Sequence, residues 1–211
     1  MRRFRFTLIA VCLVLLYLGI SDLLLWFSNP SPQVISIEQL ESEGPPRAWL
    51  HVTGGYQDLD RAISTSGTVE LEALLIPLVS EPEQQTIRVM VETRQPRLLQ
   101  VFEDYHFFTD TLPQKRDFRE EHADAFHGQR DITGMLVAGL IARGNQQKLI
   151  KLARQTDLQI AEDVIFLSEG KTPGKWRGLF FTVVGLLGLL KILASKQTRA
   201  GKTQSSTGIS S

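Results

Sequence analysis

Apolar residues gather in two long runs near the ends of the chain, and between them they recur in short alternating or helical patterns. The first run is Phe6 to Phe27, FTLIAVCLVLLYLGISDLLLWF, 22 residues with Asp22 as the only charge. A helix of that length rises ~33 Å, enough to cross the ~30 Å hydrocarbon core of a bilayer. The second is Gly178 to Leu190, GLFFTVVGLLGLL, thirteen uncharged residues. With Trp176 before it and Lys191 to Ala194 after it, residues 176–194 reach spanning length, Lys191 snorkelling to the headgroups. Two transmembrane helices are therefore expected, 6–27 and 176–194.

The first run could instead be a secretory signal, and Gly19-Ile20-Ser21 is a small-x-small triplet of the kind cleaved. The apolar run continues past it through Leu23 to Phe27, with Trp26 and Phe27 at the interface before Asn29-Pro30-Ser31-Pro32, so an uncleaved anchor is expected. Val11 before Cys12 argues against a lipoprotein. Asp22 lies about one turn from the outer interface and is expected to reach water, the other reading being a polar contact to a partner helix or an ion path. Gly178, Gly185 and Gly188 share one face of the second run, where small residues allow close helix approach to the first span or to another protein. Arg2, Arg3 and Arg5 precede the first span, and no basic residue follows it until Arg47. The asymmetry puts residues 1–5 and the polar tail 195–211 in the cytoplasm, the tail disordered, and residues 28–175 outside the inner membrane. Lys171, Lys175 and Arg177 are a counter-signal on the outer side.

The 148 residues from 28 to 175 are the size of one domain. Within it, Ser36 reads as the N-cap of a short helix ending at Gly44, or as a strand leading to that turn. WLHVTGGY (49–56) reads as a strand running into a bulge or tight turn. ALLIPLV (73–79) reads as a strand held to an edge or bulge by Pro77, and TIRVMVET (86–93) as a strand with Ile87, Val89 and Val91 inward and Arg88, Met90 and Glu92 outward. QKRDFREEHADAF (114–126) reads as an exposed helix, Thr133–Ile141 as a buried strand, Gln146–Arg154 as a helix and Asp163–Leu167 as a short closing strand. Four or five short strands with glycine-marked bends and two or three helices suit an α+β domain with a curved sheet, an OB-like β-barrel; a split α+β sandwich is the alternative.

Charge narrows the function. The middle segment holds 15 Lys and Arg against 22 Asp and Glu, a net of −7. An acidic extracytoplasmic domain is a poor nucleic-acid binder. It has no cysteine, since Cys12 is the only one, so its stability must come from a packed core. The strand signals WLHVTGGY, IPLV, IRVMVETR and GMLVAGL, between two spans, fall in an order that resembles the Surfeit-locus family of cytochrome oxidase assembly factors. That resemblance is one of layout and implies an OB-like domain with an assembly role; it carries no functional residues across.

Candidate chemistry is sparse. His122 and His127, with Glu120, Glu121 and Asp124, are the densest set of ligand-type residues. Five apart on a helix, the histidines stand about 140° from one another and do not share an ion unless the helix ends first. His106 sits among aromatics and His51 on a strand. Ser64-Thr65-Ser66-Gly67 reads as a hairpin loop rather than a nucleophile turn, and Gly201-Lys202-Thr203 lacks the rest of a phosphate loop. No catalytic, cofactor or metal residue is assigned. The expectation is a non-enzymatic scaffold or assembly factor whose partners are the lipid bilayer and another membrane protein. The alternative is a membrane-anchored hydrolase or metal-dependent enzyme, which a pairing of His122 or His127 with His51 or His106 would favour.

Overall fold

The computed structural model describes residues 2–64, 72–137 and 158–204, which divide into two compact units. One joins Met1–Pro30 to Pro173–Ser211, and the other is Ser31–Thr172. The expected helix at 146–154, the loop from Thr65 to Gly67 and the end of the strand expected to reach Ile141 lie outside the described residues.

The first unit is a pair of helices, α1 (Arg2–Ser28) and α6 (Lys175–Gln204). Pro30 cannot extend α1, and the Asn29 side chain closes its end by donating from Nδ2 to Leu25 O at 2.8 Å. Among the described residues one helix is long and apolar enough to cross a membrane, α1 over Phe6–Ser28. The helix α6 runs to Gln204, past Ser195, where the polar sequence is expected to be disordered; a run of Lys, Gln, Arg and Ala keeps helical propensity without an apolar face.

The second unit is built on one sheet in the order β1-β2-β6-β7-β5-β4-β3, with β2 also paired to β4. The strands are β1 (Gln33–Ser36), β2 (Trp49–Gln57), β3 (Ile63–Ser64), β4 (Leu74–Val79), β5 (Ile87–Thr93), β6 (Gln129–Leu136) and β7 (Ile160–Glu169). The β2–β4 pairing closes β2, β6, β7, β5 and β4 into a five-stranded barrel, antiparallel except for β5 and β7. Closure depends on the bulge in β2 between Val52 and Gly55. Before it β2 pairs with β1, and after it Tyr56 and Gln57 pair with Val79 and Leu78 of β4. Gly54 there has φ 77°, a left-handed conformation that costs other residues energy. Gly55 leaves room for the buried Leu78, whose Cγ would stand 2.6 Å from a Cβ at 55. Pro77 pairs with Met90 of β5, and its carbonyl accepts from Asp58 N where the β3 and β2 pairings of β4 part. A missing N–H is tolerated at that gap.

Helix α2 (Ile37–Glu43) is capped by Ser36 and ends at Gly44, φ 78°. It adds Ile37 and Leu40 to a core with Leu50, Val52, Val89, Val91, Ile132 and Leu167. Between β5 and β6 come α3 (Pro96–Phe107), α4 (Leu112–Glu121) and α5 (Ala123–His127). Helix α3 packs Leu98, Val101, Phe102 and Tyr105 with Phe126 on Leu74 and Ile76. The exposed helix expected over 114–126 is two helices broken at His122, and its second part is buried through Ala125 and Phe126. Met90, expected to face outward, is 1% exposed and packs with Leu75, Val164 and Phe166. Strand β5 is covered on both faces: Val89 and Val91 lie in one core, and Ile87, expected with them, lies with Met90 in another beyond the register shift between Ile87 and Val89. The closing strand β7 is ten residues, twice the expected five, because it begins at Ile160, paired with Ile87, and resumes pairing with β5 at Ile165 after a register shift.

Candidate functional site

The two helices of the first unit meet along a seam of small residues. A Cβ added to Gly185 would stand 2.8 Å from Leu16 Cγ, one on Gly188 2.5 Å from Cys12 Sγ, and one on Gly178 2.9 Å from Asp22 Cβ. Gly178, Gly185 and Gly188 are therefore all turned to α1, and Gly19 of α1 meets Thr182 and Gly178 in return. Beside Gly178, Arg177 donates from Nε and one Nη to the two oxygens of Asp22 at 2.7 and 2.9 Å. The carboxylate expected to reach water is held by a fork of two charge-assisted bonds instead. Lys175 stands over the Trp26 and Trp176 rings, 4.6 and 5.5 Å from their centroids.

The second unit carries a polar cluster where β2, β6 and β7 approach the start of α3. Gln57, 5% exposed at the end of β2, donates to Ala125 O at 2.6 Å and accepts from Arg130 at 2.8 Å. Arg130 also binds Glu169, the last residue of β7. Glu169 Oε1 accepts in addition from Gln95 Nε2 at 2.9 Å, just ahead of α3, while its Oε2 is buried without a hydrogen-bond partner among the described residues. Over Gln57 and Arg130 lies a cleft of ≈ 180 Å³, also lined by Gln95, Arg97, Asp124 and Gln129. The pairs neutralise charge within the cluster, so it ties three strands to α3 and leaves only Arg97, 3.9 Å from Asp124, at the rim.

The four histidines go to separate partners. His51 Nδ1 is 2.7 Å from Thr133 Oγ1, and His122 lies on the Phe118 ring with Nδ1 3.0 Å from Phe118 O. His106 packs on Phe102, with ring centroids 4.2 Å apart. Its burial there, with Lys115 nearby, holds the imidazole below its ordinary pKa, and Asp60 only partly offsets this. His127 Nε2 lies 3.2 Å from Asp60 Oδ2. The sequence grouping of His122 with His127, Glu120, Glu121 and Asp124 does not assemble even though the helix breaks at His122, because His122 is held on Phe118 and His127 turns to Asp60. Asp58, Asp60 and His127 converge instead, their ligand-type atoms all within 4.8 Å. Two arginines already answer those carboxylates. Arg61 Nε is 2.5 Å from Asp58, and Arg119 is 3.0 Å from Asp60. The Arg119 hydrogen bond to Tyr105 Oη at 2.7 Å, with Asp60 beside it, raises its pKa further. Cations in those positions fill the role a metal would take, and the group links the β2–β3 connection to α4 and α5.

Sequence reasoning passed over α3 and with it Gln95 and Tyr105. Pro96 at a first helical turn and apolar residues at 98, 101, 102 and 105 are the signal. It passed over Asp60 because its partners, Arg119 and His127, lie some 60 to 70 residues away, and Asp58 because its partner Arg61 is a local one that signals no site. No protein-family model, curated protein or solved structure matches this chain.

Proposed function

We propose that the chain is a two-span protein of the inner membrane, with both termini cytoplasmic and the barrel outside, acting as a non-enzymatic scaffold or assembly factor for another membrane protein. The observation that carries this is the α1–α6 seam. The glycine face of α6 is spent on α1, while Phe180, Leu187 and Leu190 on its other faces are 63%, 61% and 59% exposed. Apolar side chains so placed are at home in hydrocarbon, and a helix that seals against a spanning helix through glycines shares its environment. The basic counter-signal to this orientation is also muted. Arg177 is neutralised by Asp22, Lys175 sits on two tryptophans, and Lys171 is 3.8 Å from Glu92.

The strand order of the barrel, with its one parallel pair and helices before the fourth barrel strand, supports an OB type. Tethered through Asn29-Pro30 at one end and Pro173-Gly174 at the other, the domain stays close to the bilayer, where a scaffold for a membrane partner works. A second reading, a membrane-anchored metal-dependent enzyme, draws on Asp58, Asp60 and His127. One experiment tests both: purify the tagged chain from gently solubilised membranes, identify what accompanies it by mass spectrometry, and measure metal in the same sample. A stoichiometric membrane protein without metal is the expected result. A partnerless protein with one bound metal overturns the scaffold reading.

A further inference from the structure

Five large apolar side chains are exposed among the described residues of the barrel unit: Val34, Phe107, Phe108, Leu112 and Val137. Three of them share the six-residue corner between α3 and α4, where Phe107, Phe108 and Leu112 are 64%, 72% and 85% exposed. The corner is built, not loose. Phe108 N donates to Asp104 O, Thr109 Oγ1 donates to Tyr105 O, and Thr111 and Gln114 form a reciprocal capping box at the start of α4. A fixed corner holding two phenylalanines and a leucine in water has no stabilising role within the fold, and it loses little entropy when covered.

Its surroundings say what covers it. Glu103, Asp110 and Asp117 are exposed and make no ion pair among the described residues. Of the nearby cations, Lys115 and Arg119 lie 5.4 and 5.6 Å from the Tyr105 ring centroid and Arg119 is bound to Asp60, so among the described residues Arg116 is the one exposed cation left to set against three exposed carboxylates. The apolar corner thus has an acidic rim, which an anionic bilayer surface repels.

We propose that the Phe107–Phe108–Leu112 corner is the surface by which the barrel grips its protein partner, and that the partner offers an apolar socket edged with lysine or arginine. This rests on the scaffold reading above. The aromatic pair supplies the contact area, and the carboxylates steer and orient the encounter.

The test uses the full chain in its own membranes, with a photoreactive benzoylphenylalanine in place of Phe108 and, as control, in place of the exposed Glu83. The expected result is one protein adduct from position 108 and none from 83, with Lys or Arg beside apolar residues in the crosslinked peptide. Replacing Glu103, Asp110 and Asp117 together by Lys should abolish it. Adducts with lipid only, with a second copy of the chain, or with no protein overturn the proposal. A parallel variant, Phe108→Ser with Leu112→Ser, changes only exposed side chains, so its melting temperature should hold while recovery of the complex falls roughly tenfold. Undiminished recovery overturns the corner and leaves the scaffold reading standing. If the unaltered chain brings no membrane protein with it, both fall.

Discussion

Asp22 and Arg177, 155 residues apart in sequence, form a two-pronged ion pair between α1 and α6, with Arg177 Nε 2.7 Å from one carboxylate oxygen. The fork of two charge-assisted hydrogen bonds makes each charge the other's partner across the helix pair.

Removing one partner should therefore cost more than removing both. Asp22→Ala is expected to destabilise the helix pair by about 1–2 kcal/mol, because it leaves the Arg177 guanidinium unanswered. Asp22→Leu with Arg177→Leu should recover most of that loss. Unfolding in mixed detergent micelles measures both, and additive losses would show that the pair is not coupled.

Cys12 is the only cysteine, and it faces Gly188. Gly188→Cys places a second thiol against it, so mild oxidation should give an intramolecular disulfide seen as a faster band on a non-reducing gel. The same change at Gly174 should give none. Equal yields at both positions would contradict the seam.

Barrel closure turns on Gly55. Gly55→Val forces Leu78 out of the core and is expected to cost about 1–3 kcal/mol, while Gly54→Ala costs about 1–2 kcal/mol through its positive φ alone. Urea denaturation should show both midpoints lowered. A neutral Gly55→Val would mean that β2 and β4 do not close the barrel as described.

His106 is held below its ordinary pKa by burial against Phe102, with Lys115 adding to the effect. The unfolded chain then takes up its proton first as pH falls. The stabilising contribution is complete above the unfolded value of about 6.5 and is lost as pH falls through the lower folded value. Thermal melts from pH 8 to pH 5 should decline, and His106→Gln should flatten the part of the slope just below pH 6.5. An unchanged slope would place its origin elsewhere.

Arg130 answers both Gln57 and Glu169. Arg130→Met leaves a largely buried carboxylate without its cation and should lower stability by about 2–3 kcal/mol at neutral pH. Adding Glu169→Gln should restore part of it. Calorimetry on the two variants decides.

By itself, the sequence determined the features that depend on neighbours along the chain. The Phe6–Phe27 run, the Ser36 cap, the Gly54 bulge and the existence of a strand over 87–93 are each fixed by local pattern, and each is legible because periodicity and capping act within a few residues. Tertiary structure decided what depends on partners far away. Met90 looks outward by alternation until a second core covers that side of β5, and Asp22 looks water-bound until Arg177 arrives from the other end of the chain. Asp58 meets Arg61 within one turn, but Asp60 finds Arg119 and His127 only after three helices have folded back. The polar groups of this fold are paired across long stretches of sequence, and no local rule carries that information.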